Sequence, residues 1–214
     1  MNRAHVFPAT GTARLVATAT ALAALAAAAQ AAAQLVDYWA FGLRYAALDG
    51  NSSANAFGWL SAAMMAVAVV AFAAAALDDR DKRASWGLAA IFLFLFVDNR
   101  LDLHELVANG KLLFTPLLAA LFLLVRHVSA RAPGPAAWLL KAGLACLVVS
   151  FTAHIFGPTI LSWAGWGEQT WQDQTKVAIK ESAEVAGWIL ISSGALARLR
   201  THRHRGPGNV PQAA

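Results

Sequence analysis

Five ionisable residues interrupt a long apolar run in the middle of the chain: Asp98, Arg100, Asp102, His104 and Glu105. The run covers residues 86–108, and the residues before and between the charges are almost all apolar. An ionisable group inside a membrane costs about 2.5–3.5 kcal/mol, so such groups are rare and usually functional. Carboxylates and histidine at this density can bind a metal ion, carry protons or join helices through ion pairs.

Two other apolar runs carry polar groups at a similar depth. One contains Ser150 and His154, and the other, residues 176–198, contains Lys176, Lys180, Glu181 and Glu184. At 1.5 Å of rise per helical residue, Asp98, His154 and Glu184 all lie about 18–24 Å from the same end of their runs. We therefore predict one site to which three helices contribute.

Helical spacing arranges the first cluster on two faces. Asp98, Asp102 and Glu105 follow i, i+4, i+7 and share one stripe, whereas Arg100 and His104 form an i, i+4 pair on another face. A helix that is polar on two faces needs polar neighbours on both sides. We therefore expect this helix to be central in its bundle.

The charges of the two ionisable clusters do not cancel. Their five acids and three bases give a formal sum of minus two. Either buried carboxylates take up protons, or a cation occupies the site. A divalent metal would balance the sum, and an N/O ligand set suited to zinc, iron or manganese is present in Asp98, Asp102, His104, His154, Glu181 and Glu184.

These residues predict a metal-binding pocket that hydrolyses a lipid or another small amphipathic substrate. Glu105 would act as general base toward a metal-bound water. Lys180 and Arg100 would orient ligands or stabilise developing negative charge. Two alternatives stay open: a proton- or cation-coupled transporter that uses the same carboxylates, and a structural or assembly subunit with a buried salt-bridge network. The inner parts of both charged runs are nearly all apolar, which favours a one-sided pocket over a conduit.

The elements that must position these residues are membrane helices. The chain is 58% hydrophobic and only 14% charged, whereas a soluble domain has about 25% charged residues. We predict an all-α integral membrane protein, one bundle over residues 14–198, with a cytoplasmic N-terminus (1–13) and a basic, disordered cytoplasmic tail (199–214). A span needs about 20 mostly apolar residues, and the candidates are roughly 14–36, 56–77, 86–108, 112–126, 136–156 and 175–197.

Most Lys and Arg residues lie on one side of these spans, in residues 1–14, 80–83, 126–131 and 198–205. By the positive-inside rule this side is cytoplasmic, so both termini face the cytoplasm and the site faces outward across a bacterial inner membrane. Because the basic residues cluster at the ends of apolar runs, the +5 net charge indicates contact with membrane lipids and not with nucleic acid. The sequence names no protein partner.

The first span has a second interpretation. Residues 1–14 are basic, residues 15–29 are apolar, and Ala29-Gln30-Ala31 resembles a signal-peptidase site. Residues 1–31 are therefore either a retained span or a cleaved signal peptide. Both alternatives leave the topology of the remaining chain unchanged.

Three smaller features of the sequence also bear on the site and its surroundings. The single cysteine, Cys146, excludes a disulfide within the chain and a cysteine-based metal site. Asn51-Ser52-Ser53 matches a glycosylation acceptor, to which we assign no role in a bacterial protein. The Trp- and Gly-rich segment 157–174 is predicted to fold over the outer mouth of the site.

The segment Ser150-Phe-Thr-Ala-His154 resembles the Ser-x3-His element of the transmembrane hydrolases that include alkaline ceramidases and adiponectin receptors. In that superfamily three histidines hold a zinc that activates water for amide or ester cleavage. Where those proteins carry His-x3-His in the last span, this chain has Lys180, Glu181 and Glu184. The resemblance therefore does not predict a three-histidine zinc site.

Overall fold

The structure of this chain, a computed structural model, describes residues 9–52, 54–78, 81–101, 103, 110–132 and 134–203. These residues form an all-helical bundle. Its α-helices are α1 (Ala9–Val36), α2 (Ala56–Asp78), α3 (Lys82–Leu101), α4 (Gly110–Arg131), α5 (Gly134–Trp163) and α6 (Trp171–Arg203), and a π-helical turn at Asp37–Phe41 continues α1.

Within the described residues, four stretches are long and apolar enough to cross a membrane: Ala13–Phe41, Ala56–Leu77, Lys82–Leu101 and Gly134–Trp163. Large apolar side chains cover the outside of the bundle, among them Leu25, Val70 and Leu123, each more than half exposed. A helix of a soluble protein would present polar side chains on that face. The outward apolar surface fits a lipid environment, in which the backbone of each helix satisfies its own hydrogen bonds.

The helices extend beyond the predicted spans. Helix α5 continues to Trp163, and α6 continues to Arg203, into the segment predicted to be a disordered tail. Helix α1 begins at Ala9, within the predicted N-terminal segment. Hydropathy marks where a helix leaves apolar surroundings, whereas the backbone hydrogen bonds can continue past that point.

Helix α6, and not α3, is the central helix. Helix α6 packs against α1, α2 and α5, whereas α3 packs mainly against α2 and α4. The expectation that α3 is central was therefore wrong. Small residues decide the packing: a Cβ on Gly143 of α5 would lie 2.8 Å from the carbonyl oxygen of Gly187 in α6. Two backbones that approach so closely need glycine at the contact, as is common between membrane helices.

The bundle has two chemically different ends. At one end, where α3 begins and α6 ends, Arg131 lies 3.4 Å from the Asp81 carboxylate, and the buried Arg198 donates to Ser85 Oγ over 3.0 Å. We call this the basic end. The opposite end, where α3 ends and α6 begins, contains the candidate site and is called the pocket end. Between them, the aromatic rings of Phe72, Phe92 and Trp188 form a packed layer.

Candidate functional site

A cavity of about 440 Å³ opens at the pocket end of the bundle. Helices α2, α3, α4, α5 and α6 line it together with the segment that joins the π-helical turn to α2. Its volume lies within the range of about 300–1,000 Å³ that is usual for small-molecule sites. The polar residues of its wall are Asn51, Ser52, Asn55, Asp98, Asn99, Arg100, Ser150, His154, Lys180, Glu181 and Glu184.

Six of the nine predicted ligand and catalytic residues line this one cavity. They come from α3, α5 and α6, the three helices predicted to form the site, and are Asp98, Arg100, His154, Lys180, Glu181 and Glu184. The other three, Asp102, His104 and Glu105, lie outside the described residues. The predicted meeting of three helices is thus present for the residues that can be placed.

One charged contact in the cavity joins two neighbours on α6. Lys180 Nζ lies 2.7 Å from Glu181 Oε1, and both side chains are largely buried, at 21% and 12% exposed. An ion pair that is shielded from water keeps more of its Coulomb attraction than a surface pair. The pair forms within one helix and so does not itself join α6 to another helix.

Lys176 takes no part in the cavity wall. Its Nζ lies 2.7 Å from Asp173 Oδ1, and Asp173 also accepts a hydrogen bond from the Gln169 backbone N–H. This arrangement closes the first turn of α6, where an acidic side chain is favourable next to the free N–H groups. Lys176 is therefore a structural residue of the helix start in this structure.

The floor of the cavity is aromatic. Glu184 Oε1 accepts a hydrogen bond from Trp188 Nε1 over 3.4 Å, and Trp188 itself lines the cavity. The ring of Trp188 packs edge-on against Phe92, which stacks on Phe72 at 5.5 Å between centroids. Because Trp188 and Phe92 are almost fully buried, this layer separates the charged cavity from the basic end.

Arg100 lies at the rim. Its guanidinium carbon sits 4.0 Å above the ring centroid of Trp59 in α2, a cation–π contact that connects the end of α3 to the start of α2. Such contacts contribute about 0.5–1 kcal/mol at exposed sites. Trp59 is 60% exposed, whereas Arg100 is half-buried and its Nη1 atom is shielded from solvent.

A segment that the sequence did not predict covers part of the cavity. Residues 42–55, here called the cover segment, contribute Gly50, Asn51, Ser52 and Asn55 to the wall; Ser53 lies outside the described residues. The available signal was the density of small polar residues at 51–55, part of which also matches a glycosylation acceptor. The predicted cover, segment 157–174, contributes nothing to the wall formed by the described residues.

Two buried glutamines hold the cover segment in place. Gln34 of α1 donates to Gln174 Oε1 over 2.6 Å and accepts a hydrogen bond from the Gly50 backbone N–H. Both glutamine side chains are almost fully buried. A Cβ on Gly50 would lie 2.7 Å from Glu181 Cγ, so only glycine allows the cover to rest on α6. Gln34 lies in an Ala-rich run, and the signal in the sequence was a polar amide side chain within an apolar segment.

The described residues do not by themselves form a metal site. Within them, no group of three or more His, Cys, Asp or Glu side chains is arranged to hold a metal ion. Zinc needs at least three protein ligands, so a metal at this position would depend on Asp102 and His104 as well.

The wall carries both signs of charge with a small negative excess. Three carboxylates and two bases line the cavity, which leaves one formal negative charge when His154 is neutral. Beside them, Met65, Leu95 and Leu118 provide apolar surface. Such a wall can hold a polar or zwitterionic group and, beside it, a hydrocarbon.

Comparisons with known proteins identify the family to which the chain belongs. No curated protein and no solved structure matches the chain. A family model described as "Domain of unknown function (DUF8692)" matches residues 14–199, which include the cavity and nearly all of the bundle. The chain therefore belongs to the DUF8692 family.

Proposed function

We propose that this protein is a multi-pass membrane protein that binds the polar part of a small amphipathic substrate in the cavity at its pocket end. One observation carries the proposal: six ionisable side chains from three helices line a single cavity of ligand size. Ionisable residues inside a membrane bundle usually mark a substrate or ion site because their burial is costly.

The chemistry we propose is metal-assisted hydrolysis. Asp98, His154, Glu181 and Glu184 would contribute ligands, together with Asp102 and His104. Lys180 and Arg100 would stabilise negative charge on the substrate, and Glu105 would serve as the base. Zinc, iron and manganese all suit such a nitrogen and oxygen ligand set.

Elemental analysis of the purified protein tests the metal. We expect stoichiometric metal in the wild type and its loss in Glu184→Gln and Asp102→Asn. Glu168→Gln is the matched control, because Glu168 is an exposed carboxylate outside the cavity. Absence of metal from correctly folded wild type would overturn metal-assisted hydrolysis. Unfolding of both cavity variants, with no metal in the wild type, would instead favour a structural salt-bridge network.

Binding is tested separately from the metal. Full-length protein in detergent is titrated with a lysophospholipid, and binding is followed by the tryptophan fluorescence of the protein. Two of the tryptophans, Trp59 and Trp188, lie at the rim and the floor of the cavity. We expect saturable binding that weakens in Glu184→Gln and persists in Glu168→Gln. Equal binding by both variants would contradict the proposed pocket.

Transport through the bundle is the less favoured alternative. The Phe72, Phe92 and Trp188 layer lies between the cavity and the basic end, and each of these side chains is at most 2% exposed. A conduit for protons or cations would need polar groups across this layer.

We also propose six membrane spans, with both termini in the cytoplasm of a bacterium and the cavity facing the periplasm. The distribution of charge supports this orientation, because Arg126, Arg131 and Arg198 all lie toward the basic end. Positively charged ends of membrane helices usually remain in the cytoplasm.

A further inference from the structure

We infer that the substrate is a membrane lipid and that its acyl chain lies in an apolar groove between α4 and α5, next to the charged cavity. The inference rests on the proposed function, because it assigns the hydrocarbon part of the molecule whose polar part the cavity would hold.

The groove is an apolar cavity of about 150 Å³. Apart from Thr152, the side chains around it are aliphatic or aromatic. Its floor consists of Leu121 and Leu147, which are almost fully buried, while Phe122 and Val148 at its edges are exposed. A groove with a buried floor and exposed apolar edges opens sideways, toward the lipid that surrounds the bundle.

Helical spacing makes the groove one continuous stripe. Its α5 residues recur at the helical spacings i, i+3, i+4, i+7 and i+8, so they share one face of the helix. They are Leu144, Leu147, Val148, Phe151, Thr152, Ile155 and Phe156. On α4, Leu118, Leu121 and Phe122 follow the same spacing. From Leu144 to Ile155 the stripe runs about 16 Å along α5, enough for an extended hydrocarbon chain.

The groove and the charged cavity are continuous. Leu118, Phe151 and Ile155 line both of them. On α5, the neighbouring residues Ser150 and His154 face the charged cavity, so one helix presents a polar surface and an apolar surface side by side. A molecule with a polar head and a hydrocarbon chain matches this pair of surfaces, whereas a small polar solute would leave the groove unused.

The position of the groove also indicates the route by which the substrate reaches the cavity. A lipid could move laterally from the membrane between α4 and α5 until its head reaches the cavity, without leaving the membrane. The cover segment lies on the α1 and α6 side, where Gln34 and Gln174 hold Gly50, and so leaves this route clear.

Photolabelling tests the inference. The probe is a lysophospholipid that carries a diazirine near the end of its acyl chain, added to the full-length protein in detergent. We expect the label on residues 118–122 and 144–156. Val148→Trp places an indole in the groove and should lower labelling about tenfold, the effect of losing roughly two buried methylenes. Val149→Trp is the matched control, since it lies next to Val148, is equally exposed and does not line the groove.

Glu184→Gln separates the two proposals. If Glu184→Gln lowers labelling and Val148→Trp does not, the cavity binds the head but the chain lies elsewhere, and only the present inference is overturned. If Val148→Trp lowers labelling and Glu184→Gln does not, the groove is a lipid contact unrelated to the cavity, which overturns both. Loss of labelling in both variants, with Val149→Trp unchanged, supports the continuous site.

Discussion

At the scale of single residues, the cavity combines charges that would be costly alone. Lys180 and Glu181 are held 2.7 Å apart in a largely buried position. Removing one partner of a buried pair leaves the other charge without compensation, which costs more than removing both. Loss of this contact should therefore lower the stability of the protein, and this effect can be measured separately from any role of the pair in binding.

We expect Lys180→Met to lower the stability of the protein by about 1–3 kcal/mol, less than in a fully buried pair because both side chains keep some exposure. Thermal unfolding in detergent measures the change. The double variant Lys180→Met with Glu181→Gln should recover part of the loss, because it removes the uncompensated carboxylate. Equal stability of the single and double variants would show that the pair is not coupled.

The cover segment depends on the glycine at position 50. Gly50→Ala would place a methyl group 2.7 Å from Glu181 Cγ and 3.0 Å from Gln34 Oε1, so the segment must move away from α6. We expect lysophospholipid binding to weaken about tenfold while the helices remain folded. Gly167→Ala is the control, since no atom lies within 4 Å of its added methyl group. Unchanged binding in Gly50→Ala would mean that the cover does not shape the pocket.

At the scale of elements, the packing of α1 bears on the signal-peptide alternative. Ala19 and Ala23 are buried against Val185 and Ile189 of α6, and Ser182 Oγ donates to the Ala27 carbonyl over 2.9 Å. Helix α1 also supplies Gln34, which holds the cover segment. A cleaved α1 would expose these surfaces, so the packing favours a retained span.

We therefore predict that the mature protein keeps residues 1–31. The intact mass of protein purified from membranes measures this directly. Ala31→Leu is the control, because a signal-peptidase site requires small residues, and its mass should show the same N-terminus as the wild type. An N-terminus just after Ala31 in the wild type, restored to full length in Ala31→Leu, would establish the cleaved signal peptide.

The contact between α5 and α6 depends on glycine. We expect Gly143→Ala to destabilise the bundle by about 1–3 kcal/mol, the usual cost of overpacking. The added methyl group would meet the backbone of α6, namely the Gly187 carbonyl oxygen at 2.8 Å and the Ile191 nitrogen at 2.9 Å. Gly134→Ala on the same helix meets no atom within 4 Å and serves as control in thermal unfolding. Equal stability of the two variants would contradict the close approach.

At the scale of the whole molecule, the two ends of the bundle differ in charge and in the polar groups they bury. The basic end carries Arg131 and Arg198, and the pocket end carries the cavity and its cover. This asymmetry is the basis of the proposed orientation, in which the basic end faces the cytoplasm. The side of the membrane on which the proposed cavity opens depends on this orientation.

Cysteine labelling tests the orientation. In a Cys146→Ser background, Gly167→Cys places a thiol between α5 and α6, and Gly134→Cys places one at the start of α5, two positions where a side chain meets open space. We expect a membrane-impermeant maleimide to label position 167 on intact cells and position 134 only after lysis. The reverse pattern would place the cavity in the cytoplasm and invert the proposed topology.

Composition and the lengths of the apolar runs determined the architecture. Long apolar runs fold into helices whatever their neighbours, because each helix satisfies its own backbone hydrogen bonds, so the helical bundle could be predicted from the sequence. The convergence of Asp98, His154 and Glu184 followed from counting residues along three helices, since a rise of 1.5 Å per residue turns sequence position into depth.

Tertiary structure alone decided the rest. Depth does not specify which helices touch, and the close contacts at Gly143 and Gly187 made α6 the central helix in place of α3. Hydropathy could not identify the cover segment, because its position depends on Gln34 reaching Gly50 and Gln174 across the bundle. The charged cavity could be predicted from the sequence, because burial of charge is costly and charged residues within an apolar run are therefore easy to recognise. Its neighbouring apolar groove did not, because apolar residues facing lipid and apolar residues lining a groove look alike until the helices are packed.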